Sequence, residues 1–120
     1  TSVNPNYRLY YVDRTHYQVN EAETFIFSIS EARNNPSVQP RWHLHYSFRQ
    51  MFGVTNFSPA GIDQLIFNIS RNRNLNRNLY RIRVKNGDPR METGCDDDCL
   101  RSQVCSLVLN ENADNRRCNQ

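Results

Sequence analysis

The sequence predicts a mainly α-helical domain, stapled by disulfides at its tail and opened by one short strand or hairpin. Three observations predict it. Apolar residues recur at helical spacing, above all Ile62, Leu65, Ile66 and Ile69. Helix-start and helix-stop residues bracket these stretches. Four cysteines crowd into the last quarter as Cys95-x3-Cys99-x5-Cys105-x12-Cys118. At 120 residues the chain is one domain at most, spanning 1–120, and long enough for a modest core.

Residues 7–12, Tyr-Arg-Leu-Tyr-Tyr-Val, follow Asn4-Pro5-Asn6 and read as a strand, being aromatic and β-branched. A strand needs neighbours. The chain offers residues 16–19 as one weak candidate, so the sheet is expected either as a short hairpin with 16–19 or with its other strands in another domain. Asn20 reads as the start of a helix, with Glu23 placed as in a capping box and Ala22, Phe25, Ile26 and Ile29 on one apolar face. Asn34-Asn35-Pro36 ends it.

After a loop over 37–40, a second helix is expected from about residue 41 to Phe52, with Gly53 as its left-handed cap. Ser58-Pro59 starts a third, a capping hydroxyl followed by proline at the first helical position. Residues 73–80 read as helix, while the period turns strand-like over 80–84 and leaves that stretch open between the two. Asn86-Gly87-Asp88-Pro89 is a turn. A last helix fits about 96–107, with Asp96, Asp97 and Asp98 where the helix dipole favours them. Residues 110–120 are polar and tethered by Cys118.

The formal charge of +3 permits weak attraction to anionic surfaces without requiring it. No apolar run approaches the ~20 residues of a membrane-spanning helix. The opening Thr1-Ser2-Val3-Asn4-Pro5 has no signal-peptide pattern and reads as a processed end.

Four cysteines allow three pairings. Local pairing, Cys95 with Cys99 and Cys105 with Cys118, is expected because one helical turn brings 95 to 99 and leaves 105 to staple the tail. In the chain-entropy account a loop of ~15 residues closed this way contributes about 3 kcal/mol. Zinc is the competing reading, but His16, His43 and His45 lie far away and the spacing is not that of a C-x2-C ribbon. His43 and His45 would point apart on a helix and share a face on a strand.

The Asp96–Asp98 run lacks the oxygen spacing of a calcium loop. No P-loop, nucleophile elbow, H-E-x-x-H or dinucleotide loop occurs. Arg71, Arg73, Arg77, Arg81, Arg83 and Lys85 form a basic stretch that suits an anionic partner or, more simply, a solvated face. Asn68-Ile69-Ser70 and Asn56-Phe57-Ser58 match the N-glycosylation rule, the second weakened by Pro59.

Taken together, NPNYRLYYVDR, ETFIFSISEA, PRWHLHYSFRQMFGV and CDDDCLRSQVC resemble the C-terminal region of the acid sphingomyelinase and acid sphingomyelinase-like phosphodiesterase family. Gly94-Cys95-Asp96 and the Tyr-Val-Asp-Arg after the strand resemble its sphingomyelinase-like branch most. The resemblance implies that residues 1–19 close a catalytic sheet and that a helical domain follows. That domain carries Pro40-Arg41-Trp42, Tyr46 and a stop at Phe52-Gly53-Val54. It also implies two successive local disulfides at the tail.

The family's two-zinc phosphoesterase ligands precede the matching region, and none maps onto a residue here. The implied protein is therefore a non-catalytic C-terminal domain, without a cofactor of its own, partnered by a catalytic metallophosphoesterase domain, and secreted or lysosomal. Two zinc ions need about six to eight ligands, which three scattered His do not supply. The alternative is a free-standing secreted binding or signalling protein, partnered by an extracellular protein or an anionic surface. Nothing points to a specific nucleic acid.

Overall fold

The computed structural model describes residues 3–87 and 94–108. Its elements run β1 (Asn6–Val12), β2 (Val19–Ile26), α1 (Ile29–Asn34), β3 (His43–Ser47), α2 (Phe48–Phe52), α3 (Pro59–Arg71), α4 (Arg73–Arg83) and α5 (Asp97–Val108). The strands form one antiparallel sheet in the order β1-β2-β3. The fold is therefore mixed, a three-stranded sheet beside helices, and the expectation of a mainly helical domain is wrong.

Residues 20–34 and 41–52 carry the error. The first stretch is a strand up to Ile26, and only its last six residues are helical. Ala22, Thr24 and Ile26 are buried and alternate with half-buried neighbours, which is strand periodicity. A spacing of four puts Ala22 and Ile26 on one face in a helix and in a strand alike, so it does not discriminate.

Glu23 caps nothing; it lies in the ladder and accepts a hydrogen bond from the Tyr11 hydroxyl at 2.7 Å. The second stretch divides into β3 and a helix of five residues. The hairpin partner of β1 is 19–26 rather than 16–19. In the later chain, α4 runs on to Arg83, so the stretch left open after residue 80 continues the helix.

Other expectations hold. Gly53 takes φ 65° at the end of α2, where a side chain would be strained. Ser58 Oγ accepts from Gly61 N, and Pro59 is the first residue of α3. Leu65 and Ile69 are its buried stripe. They join Tyr46, Phe52 and Val54 in the core, against which Phe48, Phe57, Leu75, Leu79 and Val104 pack. Tyr46 is the sheet's residue in this cluster, while Ala22 and Ile26 of β2 are buried outside it.

A buried polar link ties α4 to α5. Asn76 Nδ2 donates to the Leu100 carbonyl at 2.9 Å, and Gln103 Nε2 donates to Asn76 Oδ1 at 3.1 Å. Gln103 also lies 3.7 Å from Cys95 Sγ. Each buried amide thereby finds the partner its desolvation demands.

Candidate functional site

Sheet geometry builds the most distinctive surface. The β1–β2 register sets Arg8 opposite Thr24 and Tyr10 opposite Ala22, on the face toward the core. Arg8 is fixed there, its Nε donating to Thr24 Oγ1 at 2.9 Å and its Nη2 to the Tyr46 hydroxyl at 2.7 Å. The opposite face receives Tyr7, Leu9 and Tyr11, set against Phe25, Glu23 and Glu21.

On that outer face the rings form a chain. Tyr7 stacks on Phe25 with centroids 5.1 Å apart. Trp42 meets Tyr7 edge-on at 4.9 Å and Phe27 at 4.7 Å. These spacings suit attractive aromatic pairs. Tyr7 is nevertheless 42% exposed, Leu9 45%, Trp42 45% and Leu44 46%. All seven residues of β1 are exposed, and no described strand pairs with its outer edge. A flat edge beside an apolar face is an arrangement that isolated proteins avoid.

The histidines do not converge. His16 Nδ1 lies 2.7 Å from Asp13 Oδ2 at the tip of the β1–β2 hairpin. His43 is exposed on β3. His45 is half-buried on the same strand, and burial lowers its pKa, reinforced by His43 and Lys85. Among the described residues no group of three or more His, Cys, Asp or Glu is placed to share a metal ion.

The cysteine expectation is met where it is visible. Cys95 and Cys99 form a disulfide with Cα atoms 5.1 Å apart. Cys105 lies half-buried on α5. Its expected partner Cys118 is outside the described residues, as is the tail 110–120. The aspartates serve α5: Asp96 Oδ1 accepts from Cys99 N, Asp97 pairs with Arg73, and Asp98 pairs with Arg101.

The basic stretch is dispersed rather than gathered. Arg71 lies over the Phe67 ring at 4.5 Å, and Arg73 faces Asp97. Arg77 has a buried Nε without a hydrogen-bond partner among the described residues. Arg81 is half-buried on α4, Arg83 reaches Gln103 at 3.5 Å, and Lys85 folds back toward the Arg83 carbonyl. The two sequons also differ. Asn68 is exposed on α3. Asn56 is exposed in the loop before α3, its Oδ1 accepting from the backbone N and hydroxyl of Ser58, while Asn68 Oδ1 accepts from Gln64 Nε2 at 3.0 Å.

Sequence reading missed Glu21. From β2 its carboxylate accepts from Ser47 Oγ at 2.7 Å, Arg49 N at 3.1 Å and Ala22 N at 2.8 Å, capping the start of α2. Burial pushes its pKa up, and these hydrogen bonds outweigh burial and hold it below the ordinary value. The ring chain was missed as well. Its signal was period-2 apolar placement at Tyr7, Leu9 and Tyr11 beside a Phe-Ile-Phe triplet at 25–27.

An α+β module with a bare sheet edge and an aromatic outer face has the form of a region that packs on another unit. Comparison with known proteins supplies the family. Residues 1–120 match the family model described as "Acid sphingomyelin phosphodiesterase C-terminal region", and the chain belongs to that family.

The chain is 29% identical over 110 residues to "Sphingomyelin phosphodiesterase" of Bos taurus, covering 88% of this chain and 17% of that protein. It is 28% identical over 120 residues to "Sphingomyelin phosphodiesterase 2" of Caenorhabditis elegans, covering 97% and 19%. It is 26% identical over 104 residues to the human "Acid sphingomyelinase-like phosphodiesterase 3b", covering 87% and 22%. These identities do not separate the sphingomyelinase branch from the sphingomyelinase-like one. The chain spans between 17% and 22% of the length of these three relatives.

Proposed function

We propose that this chain is the non-catalytic C-terminal module of a secreted or lysosomal sphingomyelinase-type phosphodiesterase, and that it supports a catalytic metallophosphoesterase unit. One observation carries the reading: β1 is exposed from Asn6 to Val12 and continues into the Phe25–Tyr7–Trp42–Phe27 ring chain. Such a surface gains most by adding a strand to its edge and covering its face. Membership of a family defined as a C-terminal region supports it, as does the chain's small share of its relatives' length. Asn68 is proposed to carry an N-glycan, since it is exposed and its neighbour Ile69 alone is buried in the sequon.

The test is association with, and activation of, the catalytic part of a relative produced without its own C-terminal region. Binding is expected, and Trp42→Ala should weaken it at least about tenfold, as an exposed aromatic anchor does. The chain alone should not turn over a phosphodiester substrate with or without added zinc. Turnover by the chain alone would sink the non-catalytic reading. Failure to associate, with Trp42→Ala indistinguishable from wild type, would favour the free-standing binding protein.

A further inference from the structure

The β2–β3 register slips by one residue between Thr24 and Phe25, because Thr24 pairs with Tyr46 and Phe25 pairs with Leu44. His45 is the extra residue on β3. A bulge re-aims its side chain, and here the ring turns toward the end of α4. His45 Nδ1 lies 3.5 Å from Asn86 Nδ2. The other ring nitrogen, Nε2, is buried and has no hydrogen-bond partner among the described residues.

The segment it meets is itself under tension. α4 closes in a Schellman arrangement, with Asn86 N donating to the Arg81 carbonyl at 3.3 Å. The left-handed position, normally glycine, is Lys85 with φ 51°, and Asn86 follows with φ 52°. Two successive side-chain-bearing residues in that region persist only where their surroundings hold them. One restraint is Asn4, whose Nδ2 donates to the Lys85 carbonyl at 2.9 Å while its Oδ1 accepts from Ile29 N. The other is His45.

We infer that His45 is an acid-sensitive latch between the sheet and the turn 84–87, and that protonating its ring loosens this turn from β3. Both nitrogens of an imidazolium are donors. Among the described residues the site offers an acceptor to one of them at most, through a flipped Asn86 amide, and none to Nε2. Among the described residues the charged groups acting on the ring are His43 on its own strand and Lys85 from the turn, and both repel a proton; the Tyr46 ring meets it edge-on at 5.4 Å. The folded state therefore binds the proton less tightly than the unfolded state. The sign follows: the latch is fully closed above the ordinary histidine value of 6.5, and its contribution is lost as pH falls below that toward the depressed folded value.

The test uses the whole disulfide-intact chain. Proton NMR of the His45 ring should give a midpoint below 6.5. Amide exchange of Asn86 and Gly87, corrected for its intrinsic pH dependence, should accelerate several-fold from pH 7.5 to pH 5 relative to the α3 amides. His45→Leu should remove that difference, and Lys85→Gln should raise the His45 midpoint. A midpoint at or above the ordinary value would overturn the proposal. So would equal turn protection at both pH values, or an unchanged pH response in a folded His45→Leu. If His45→Leu does not fold, the wild-type midpoint and the Lys85→Gln shift decide.

Discussion

Glu21 and Ser47 stand 26 positions apart, yet the Glu21 carboxylate accepts the Ser47 hydroxyl at 2.7 Å and joins it in capping α2. Ser47 Oγ accepts from Gln50 N, while the other Glu21 oxygen takes Arg49 N. A strand thus completes the cap of a helix only five residues long, too short to hold itself.

Glu21→Gln keeps the shape and removes the charge. We expect a loss of about 1 kcal/mol in denaturant unfolding at pH 7, the value of a charge-assisted hydrogen bond at a partly exposed site. The pH dependence has a definite sign. A depressed folded pKa means that stability is present above the ordinary glutamate value of 4.5 and is lost as pH falls through the folded value. Glu21→Gln should flatten the acid limb below 4.5; an unchanged limb would show that another carboxylate governs it.

Asn76 is the buried hinge of the α4–α5 link, 6% exposed and bonded to Leu100 and Gln103. Asn76→Ala leaves the Gln103 amide and the Leu100 carbonyl short of partners. Gln103 Nε2 keeps the Asn76 backbone carbonyl at 3.4 Å and Leu100 lies within α5. Two hydrogen bonds are therefore lost with neither group wholly bare, and a loss of about 1–3 kcal/mol is expected in thermal or urea unfolding. A change under about 0.5 kcal/mol would mean that water satisfies both groups.

Lys85→Gly should stabilise the chain. Glycine adopts the left-handed cap conformation that Lys85 holds at φ 51° without strain. A gain of about 0.5–1 kcal/mol is expected, measured by the shift in urea midpoint at constant slope. Destabilisation would show that the Lys85 side chain contributes more than its backbone costs.

The sequons predict a mass pattern. Expressed through a secretory pathway, the chain should carry one glycan at Asn68, and Asn68→Gln should abolish the mass lost on treatment with an N-glycan amidase. Asn56→Gln should leave that loss unchanged, because Pro59 follows the Asn56 sequon directly. A glycan found on Asn56 alone would reverse this assignment.

Several features follow from local chemistry and were legible in the sequence. The start of α3 at Ser58-Pro59, the glycine cap at Gly53, the buried stripe of Leu65 and Ile69, and the Cys95–Cys99 bridge each depend on residues within one or two helical turns. Two missed helix starts were legible by the same rule. Ser28 precedes Glu31 by three residues and Ser47 precedes Gln50 by three, and each serine oxygen does accept from the backbone N of its partner position. The family was legible too, because its motifs lie along the whole chain.

By itself, then, the sequence determined the local caps at Ser58 and Gly53, the later helices, the local bridge and the family. Only the tertiary structure decided that residues 19–26 and 43–47 are strands. Four-residue apolar spacing is compatible with both states, and the choice rests on whether β1 finds a neighbour, a contact between distant segments that no local pattern contains. The same holds for the aromatic face, for the reach of Glu21 to α2 and for the bulge that turns His45 toward Asn86. Each arises from strand register, and register is a property of paired strands rather than of either strand alone.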